Sequence, residues 1–395
     1  MLVALLCVAG MHDIVIAGAG LHGASLAYYL AKRGAKPLLV DAKGVACAAS
    51  GKGGGFLARD WGRGVTAQLH KVSFKLHEEL AAELGVESYR KISVLQVQPG
   101  DRTRRTIDIC QWLDGDSVAD SNYLDKHGAA QVTPGELCNK LVDEAVRLGA
   151  TLKIGKVQDV VLAEDPEGGG RRVEGVIVDG ETIRAPKVAV TMGPWSALAE
   201  DWFGMPVPMT GIRSTSLVFR RDEPVEPFAL FVGEDDRYGT HLEVYPRNDA
   251  SVYVCGIGGS EYVDGSRLKA GEYAPGDVHP DADRVEAGTR AFSSLSKSLG
   301  GEPSVTQACM RPCPPDALPI MGAVGHIQGA YISCGHNCWG ILWAPVSGKA
   351  MSELILDGKA SCVDLAPFSP ARFMPKAQVG SRGRKRGAQA VGEQW

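Results

Sequence analysis

Residues 12–41 constrain the fold more than any other part of this 395-residue chain. Residues 13–17 form a short apolar run rich in β-branched side chains, which predicts a buried parallel strand. A glycine-rich turn follows, residues 24–34 then have helical composition, and residues 36–40 are typical of a second strand. The stretch therefore predicts a strand–helix–strand unit.

The turn after the first strand has the spacing Gly-x-Gly-x-x-Gly. Gly18 allows a tight turn, Gly20 lets the backbone approach a pyrophosphate, and Gly23 lets the helix pack close to the strand. The N–H groups of the first helical turn face the phosphates. Asp41 ends the second strand, where an acidic side chain accepts hydrogen bonds from a ribose hydroxyl. This combination predicts an adenine-dinucleotide site.

Composition limits the class of protein. The chain is 45% hydrophobic and 22% charged, as globular enzymes are, and its length favours two packed domains. A formal net charge of −4 gives no electrostatic basis for binding nucleic acid or an anionic membrane. Ten cysteines in so long a chain fit a reducing compartment. We therefore expect an intracellular, cytoplasmic protein, with an organelle as the alternative.

Both ends of the chain are predicted to be tails. Residues 1–10 are apolar, but they carry no basic segment and are too short to span a bilayer, so no membrane span is expected. A cleaved signal is the less favoured alternative. The polar, Gly-rich residues 376–395 contain a basic cluster at 382–386, which we interpret as part of a disordered tail rather than a localisation signal.

The middle of the chain has several clear patterns. Helical spacing covers 69–84, and a second helix begins with Thr133 as N-cap, Pro134 at its first position and Glu136 in the capping-box position, then ends at Gly149. Residues 99–126 are polar and poorly patterned. Strands are predicted at 92–97, 152–161, 172–178 and 187–191. Residues 205–305 alternate in segments, including 215–220, 241–245 and 251–256, which indicates an inserted antiparallel sheet.

Two C-terminal motifs make the prediction more specific. Residues 307–322 read QACMRPCPPDALPIMG, and residues 331–349 read YISCGHNCWGILWAPVSGK. Together with the glycine turn and the segment Gly193-Pro194-Trp195-Ser196, they resemble the D-amino-acid oxidase superfamily of FAD-dependent amine oxidoreductases. Glycine oxidase and sarcosine oxidase belong to that superfamily. The similarity covers about residues 12–366 and looks closest to the plant and fungal FAD-dependent oxidoreductase branch.

The resemblance implies an α/β fold, α+β overall, with a Rossmann-like FAD-binding domain and an inserted antiparallel-sheet substrate domain. It implies that residues 12–88, 132–203 and 306–366 form the FAD-binding domain and that 89–131 and 204–305 form the substrate domain. The terminal tails are then 1–11 and 371–395. Carried over by position, the FAD contacts are Gly18, Gly20, Leu21, His22, Gly23, Asp41, Ser50, Lys52, Gly54, Gly55, Val157, Gly193, Trp195, Gly335, His336, Gly340 and Ile341.

Arg311 is the strongest substrate-binding candidate. It matches the position from which an arginine grips the substrate carboxylate in glycine oxidase, and a guanidinium makes two parallel bonds to a carboxylate. The structural alternative is an ion pair with Asp316 or with an inter-domain carboxylate. Tyr245 is a candidate for the pocket wall. His336 and His241 are candidate acid–base groups, although a histidine beside a flavin is more often a hydrogen-bond partner.

The cysteines admit further interpretations. Cys309 sits where sarcosine oxidase attaches its flavin through a thioether, but the following Arg311-Pro312 matches members with non-covalent flavin, so a buried, inert cysteine is preferred. The spacings of Cys309 with Cys313 and of Cys334 with Cys338 do not favour a metal site, and none is predicted. Cys338 replaces a glycine oxidase arginine, which leaves the second half of carboxylate recognition in doubt. Lys52 is expected near the flavin, or else solvated.

The expected function is oxidation of the C–N bond of an amino acid or secondary amine, with hydride passing to flavin N5. The partners are then a small amine or acid substrate and either oxygen or an electron carrier, while the oligomeric state stays open. One alternative is an FAD-dependent oxidoreductase of a non-amine such as a 2-hydroxy acid. The other is a flavin-bearing, partner-binding protein with little turnover.

Overall fold

A computed structural model describes residues 12–103, 108–165 and 170–375. Of the predicted tails 1–11 and 371–395, residues 1–11 and 376–395, including the basic cluster at 382–386, lie outside the described residues, whereas Pro370–Phe373 form a 3₁₀ turn. Among the helices of the described ranges, none is long and apolar enough to cross a bilayer.

The helices, in chain order, are α1 (Leu21–Lys32), α2 (Ala49–Lys52), α3 (Ala67–Leu84), α4 (Pro134–Arg147), α5 (Ala199–Phe203), α6 (Gly265–Lys269), α7 (Ala282–Leu295) and α8 (Gly340–Asp357). The strands are β1 (Ile14–Ala17), β2 (Pro37–Asp41), β3 (Phe56–Ala58), β4 (Arg90–Pro99), β5 (Val118–Gln131), β6 (Thr151–Ile154), β7 (Val157–Asp165), β8 (Gly170–Val178), β9 (Glu181–Arg184), β10 (Val188–Val190), β11 (Thr210–Arg220), β12 (Phe228–Val232), β13 (Glu243–Pro246), β14 (Ser251–Cys255), β15 (Glu261–Val263), β16 (Val305–Cys313), β17 (Ile320–Ala323), β18 (Ile327–Gln328) and β19 (Ala330–Cys334).

A six-stranded sheet holds the predicted dinucleotide unit. Its order is β17-β19-β10-β1-β2-β6, and every pair is parallel except the antiparallel β17–β19 edge. All four residues of β1 are buried, as expected of a strand covered on both faces. Helices α1, α4 and α8 pack together against it through a shared apolar core. The strand–helix–strand prediction is confirmed.

A nine-stranded sheet forms the second layer. Its order is β15-β11-β14-β13-β12-β4-β5-β3, with β16 on the other edge of β11, and only the β12–β4 pair is parallel. The predicted strands within 205–305 therefore lie in one largely antiparallel sheet. A smaller sheet of β18, β8, β7 and β9 completes the molecule. The α/β class with an inserted antiparallel sheet is confirmed.

The division into domains stays a prediction, and the sheet pairing adds one fact to it. β16 pairs with β11 over nine positions, from Thr210 opposite Cys313 to Val218 opposite Val305. Residues 306–313, assigned by resemblance to the FAD-binding domain, are thus hydrogen bonded into the second sheet.

One strand prediction was wrong, and one strand was not predicted. The single strand at 152–161 is two strands, because the chain leaves the six-stranded sheet at Gly155, whose N–H donates to Asp41 O at 2.9 Å, and β7 then pairs with β8. The poorly patterned stretch 99–126 contains the start of β5. Register shifts against β4 interrupt the alternation of β5 and hide its period.

The predicted capping box of α4 was also wrong. Thr133 is the N-cap residue, but its side chain makes no capping hydrogen bond. Glu136 instead accepts from the backbone N–H groups of Glu87 and Ser88, at 2.7 and 3.0 Å, and Ser88 Oγ accepts from Thr133 N at 2.8 Å. Glu136 therefore ties α4 to the chain that follows α3.

A buried histidine links α3 to α8. His77 Nε2 lies 3.1 Å from both Ile341 O and Leu342 O, so its N–H donates at the start of α8. Burial lowers the pKa of His77 to about 4, although these backbone bonds act in the opposite direction. The folded protein thus binds this proton less readily than the unfolded chain, whose histidine titrates near 6.5.

We expect this histidine to make stability fall as pH drops. Above pH 6.5 both states hold the ring neutral, whereas between 6.5 and about 4 only the unfolded chain is protonated, so the free energy of unfolding decreases by up to about 3 kcal/mol. Urea unfolding of His77→Gln at pH 7.5 and 5.0 should show a smaller pH difference than wild type. His127→Gln, at an exposed position, is the control, and an unchanged difference in His77→Gln would contradict the assignment.

Candidate active site

A cavity of about 820 Å³ lies between the two large sheets. One side consists of the glycine turn after β1, the end of β2 and the start of α8, and the other of side chains from β11 to β14 and β16. This volume is near the upper end for ligand sites, which leaves room for more than a small substrate.

The glycine turn at residues 18–23 leaves a space that side chains on its glycines would occupy, and we call this turn the cradle. Gly18 has φ +107°, and a Cβ there would lie 2.7 Å from Thr191 O. A Cβ on Gly20 would lie 2.9 Å from Ser50 Oγ, and one on Gly23 only 1.9 Å from Gly18 O. Gly18 and Gly20 line the cavity, whereas Gly23 is buried behind it. The geometry agrees with the three roles expected of these glycines.

Asp41 is held at the edge of this cradle. Its Oδ2 accepts from Ala19 N at 2.8 Å, and its Oδ1 accepts from Lys43 N and Gly44 N at 2.9 and 3.0 Å. Ser50 Oγ accepts from Leu21 N at 2.9 Å, which occupies one donor of the first helical turn. The carboxylate thus lines the cavity in a defined orientation beside the turn, where a ribose would lie.

His22 and His336 stack inside the cavity wall, with ring centroids 3.5 Å apart and planes inclined by 18°. Among the described residues, neither buried Nδ1 atom has a hydrogen-bond partner. His336 Nε2 lies 3.0 Å from Ser347 Oγ. Burial lowers the pKa of His22 to about 3 and keeps that of His336 well below its usual value. Both rings are therefore neutral near pH 7, which favours hydrogen bonding over the acid–base role considered for His336.

These features fit FAD. Where the Ser347 hydroxyl donates to His336 Nε2, the Nδ1 of this neutral ring carries the N–H, and a ligand oxygen would supply the acceptor that the buried donor lacks. Helix α8 begins at Gly340 on the cavity wall, so its positive end would face a reduced flavin. The other predicted cofactor positions that line the cavity are Leu21, Ser50, Gly54, Gly55, Val157, Gly193, Trp195, Gly340 and Ile341.

Two predicted cofactor residues lie outside the cavity lining, and their role toward FAD stays a prediction. Lys52 was expected near the flavin or in solvent, but its Nζ donates to Ala308 O at 3.1 Å and fastens α2 to β16 outside the cavity lining. Gly335 also lies outside the lining, and with φ +75° it turns the chain beside Pro314, whose Cγ would lie 2.5 Å from an added Cβ.

Arg311 projects from β16 into the cavity wall, with its Nη2 3.5 Å from Ser214 Oγ on β11. The alternative of an ion pair with Asp316 is wrong, because Asp316 accepts from Arg372, with Nε 2.7 Å from Oδ2. The alternative of an ion pair with an inter-domain carboxylate stays open, and the guanidinium lines the cavity beside Cys309 and Pro312 of the same strand. Its role in substrate binding stays a prediction.

Cys309 also lines the cavity on β16, and burial raises the pKa of its thiol. Since the thiolate is the nucleophile, this environment does not favour a thioether to flavin. Burial likewise raises the pKa values of Cys334 and Cys338 to about 12 and about 11. Within residues 12–103, 108–165 and 170–375, no group of three or more His, Cys, Asp or Glu side chains could hold a metal ion.

Sequence reasoning missed a carboxylate in the pocket. Glu243 lies on β13 two residues before Tyr245, so both side chains point to the same face and both line the cavity. The Tyr245 hydroxyl donates to Glu243 Oε2. The alternation predicted for 241–245 was the signal that could have identified Glu243. The aromatic residues missed at this site are Phe56, Trp61, Phe231, Tyr273 and Trp339.

The comparisons with known proteins agree with this geometry. An oxidoreductase of Schizosaccharomyces pombe is 26% identical over 393 residues, which cover 91% of this chain and 97% of that protein. A glycine oxidase of Bacillus licheniformis is 24% identical over 395 residues, which cover 91% and 97%. The crystal structure of glycine oxidase from Geobacillus kaustophilus superposes with a TM-score of 0.76 at 20% identity, covering 92% of this chain and 100% of that one.

The model of one family matches residues 13–354, from the first strand to the last helix. The match includes the glycine turn, the inserted sheet and the start of α8, which are the elements that build the cavity. This chain therefore belongs to the DAO family of FAD-dependent oxidoreductases.

Proposed function

We propose that this enzyme oxidises the C–N bond of an amino acid or a secondary amine. FAD, held by Gly18, Gly20 and Asp41, would supply at N5 the acceptor for hydride from the carbon next to nitrogen. Water hydrolyses the imine left behind to an oxo acid or aldehyde, and the nitrogen leaves as ammonia from an amino acid or as an amine from a secondary amine. Oxygen or an electron carrier then takes the two electrons, and the relatives named glycine oxidase support the amine class.

One observation carries this proposal: the guanidinium of Arg311 lines the same cavity as the cradle for FAD. A bidentate guanidinium–carboxylate contact would place the carbon that bears the nitrogen in a defined position relative to the flavin. No strong base is required from His336, whose burial keeps it neutral. The protein's contribution is then mainly orientation of the substrate.

An anaerobic titration tests the proposal. Purified yellow protein is titrated with amino acids, N-methyl amino acids, simple amines and 2-hydroxy acids, and the visible flavin band is followed. We expect amino acids or secondary amines to bleach the band. Bleaching by 2-hydroxy acids alone would replace the amine by a hydroxy acid, and bleaching by dithionite alone would favour the partner-binding alternative.

A further inference from the structure

We infer that residues 270–277 form a strap that closes over FAD in the cradle, so that FAD enters and leaves only when this segment moves aside. The strap lies between α6 and the buried Val278, in the part of the chain that the resemblance assigned to the substrate domain. None of the FAD contacts carried over from the resemblance lies in it. The inference concerns retention of the cofactor and goes beyond the proposed reaction.

Both ends of the strap are anchored in one apolar cluster. Leu268 before it and Val278 after it are 1% and 6% exposed, and both pack in the cluster that contains Trp195. The strap residues that line the cavity are Gly271, Tyr273, Ala274 and Pro275. Ala274 is also exposed to solvent. The strap is therefore a single length of chain with the cavity on one side and water on the other.

The strap crosses from one side of the cradle to the other. On one side, Trp195 Nε1 donates to Tyr273 O at 2.8 Å. On the other side, a Cβ on Gly276 would lie 3.7 Å from Cys47 Cβ. Trp195 follows β10 and Cys47 follows β2, and these two strands flank β1, which leads into the cradle. Three residues of extended chain span about 10 Å, which matches the separation of two strands with a third between them.

Both contact points lie close to the cradle itself. Ala46, the residue before one of them, donates its N–H to Ala19 O at 3.1 Å. A Cβ on Gly18 would lie 3.1 Å from Met192 Cα, three residues before Trp195. A dinucleotide in the cradle would therefore lie beneath the strap, which would have to move before the dinucleotide could leave.

A hydrogen-bonded latch holds the strap against the second sheet. The Tyr273 hydroxyl donates to Glu261 Oε2 on β15 at 2.9 Å. Arg213 Nε lies 2.8 Å from the same oxygen, and Arg267 Nη2 lies 2.7 Å from Glu261 Oε1. Two arginines thus fix the acceptor of the latch, and a hydrogen bond to a charged acceptor is stronger than one between neutral groups.

A disulfide can lock the strap in place. Gly276→Cys brings a thiol to Cys47, because a Cβ separation of 3.7 Å lies within the range of disulfides. Diamide oxidises the two thiols of the FAD-loaded protein and takes up their two electrons and two protons, and peptide mapping verifies the bond. Exchange of bound FAD for an excess of radiolabelled FAD gives the release rate. We expect release to be about tenfold or more slower than in the same protein after dithiothreitol.

Gly276→Ser is the matched control for this lock. It places a side chain of similar size at the same backbone position but cannot form the bond, so diamide and dithiothreitol should leave its release rate unchanged.

The latch is tested without any cysteine. Tyr273→Phe removes the hydroxyl that Glu261 accepts from, and we expect FAD release to become about threefold or more faster. Tyr262→Phe is the control, because it removes a hydroxyl at an exposed position on β15, outside the strap. This comparison decides if the Gly276→Cys protein does not fold.

Equal release rates from oxidised and reduced Gly276→Cys protein would overturn the inference. Failure of the disulfide to form would overturn it too, because the strap would then not lie against Cys47. A Tyr273→Phe protein that releases FAD at the wild-type rate would show that no latch holds the strap closed. The proposed reaction fails separately, since FAD release is measured equally well on a protein whose flavin no amine reduces.

Discussion

Replacing Gly23 with alanine is expected to yield protein that retains little or no FAD and is destabilised by about 3 kcal/mol. An alanine Cβ would lie 1.9 Å from Gly18 O and 2.7 Å from Thr191 Oγ1. Neither neighbour can yield freely, since Gly18 is backbone in the cradle and Thr191 Oγ1 donates to Ala17 O and Gly18 O at 2.9 and 3.0 Å. Helix α1 must therefore move away from β1, and the cradle moves with it.

The flavin-to-protein absorbance ratio and the urea midpoint measure these two effects. Gly135→Ala is the matched control, because it adds the same methyl group to the first turn of another helix, where the nearest atom is 3.8 Å away. That variant should keep its FAD and change stability by no more than about 1 kcal/mol. Full FAD content in Gly23→Ala would show that the turn is not packed as described.

Arg311→Gln is expected to lower kcat/KM for the substrate found by the anaerobic titration by roughly 10²- to 10⁴-fold. Two charge-assisted bonds of about 1.5–3 kcal/mol each would be lost from a sheltered site. The FAD content should not change, because Arg311 lies on β16 and none of the described cradle contacts involves it. Stopped-flow reduction and steady-state rates measure the loss.

Arg311→Lys separates charge from geometry. It keeps a positive charge but cannot make two parallel bonds, so we expect a smaller loss of about tenfold or more. Arg290→Gln, at an exposed position on α7, is the control for removing an arginine. Unaltered kinetics in Arg311→Gln would exclude Arg311 from substrate binding and would favour a role of the protein in binding a partner.

Much of the dinucleotide half could be predicted because its requirements are local. Gly18 needs its positive φ, and Gly23 needs its lack of a side chain, for contacts within one turn and the adjoining strand. Asp41 is the last residue of β2, so its position follows once that strand is recognised in the sequence. The residues that form the dinucleotide site are therefore the same short stretch of residues from which the site is predicted.

The residues that share the substrate side of the cavity could not be predicted, because they come from paired strands that are distant in the sequence. Phe231 and Glu243 meet only because β12 pairs with β13, and no motif within either strand encodes that register. The hydrogen bond of Lys52 could not be predicted for the same reason, since its acceptor is a carbonyl of β16, far along the chain. Hydrophobic alternation identified these strands but not their partners.

The pairing of β16 with β11 has a consequence during synthesis. Residues 210–263 leave the ribosome well before Val305–Cys313, so one edge of β11 has no partner until residues 305–313 of the 395-residue chain have been made. Unpaired edges are the surfaces on which strands from other chains add. The sheet wall that carries Arg311 is thus completed only when β16 has been made, and the open edge of β11 exposes the nascent chain to aggregation until then.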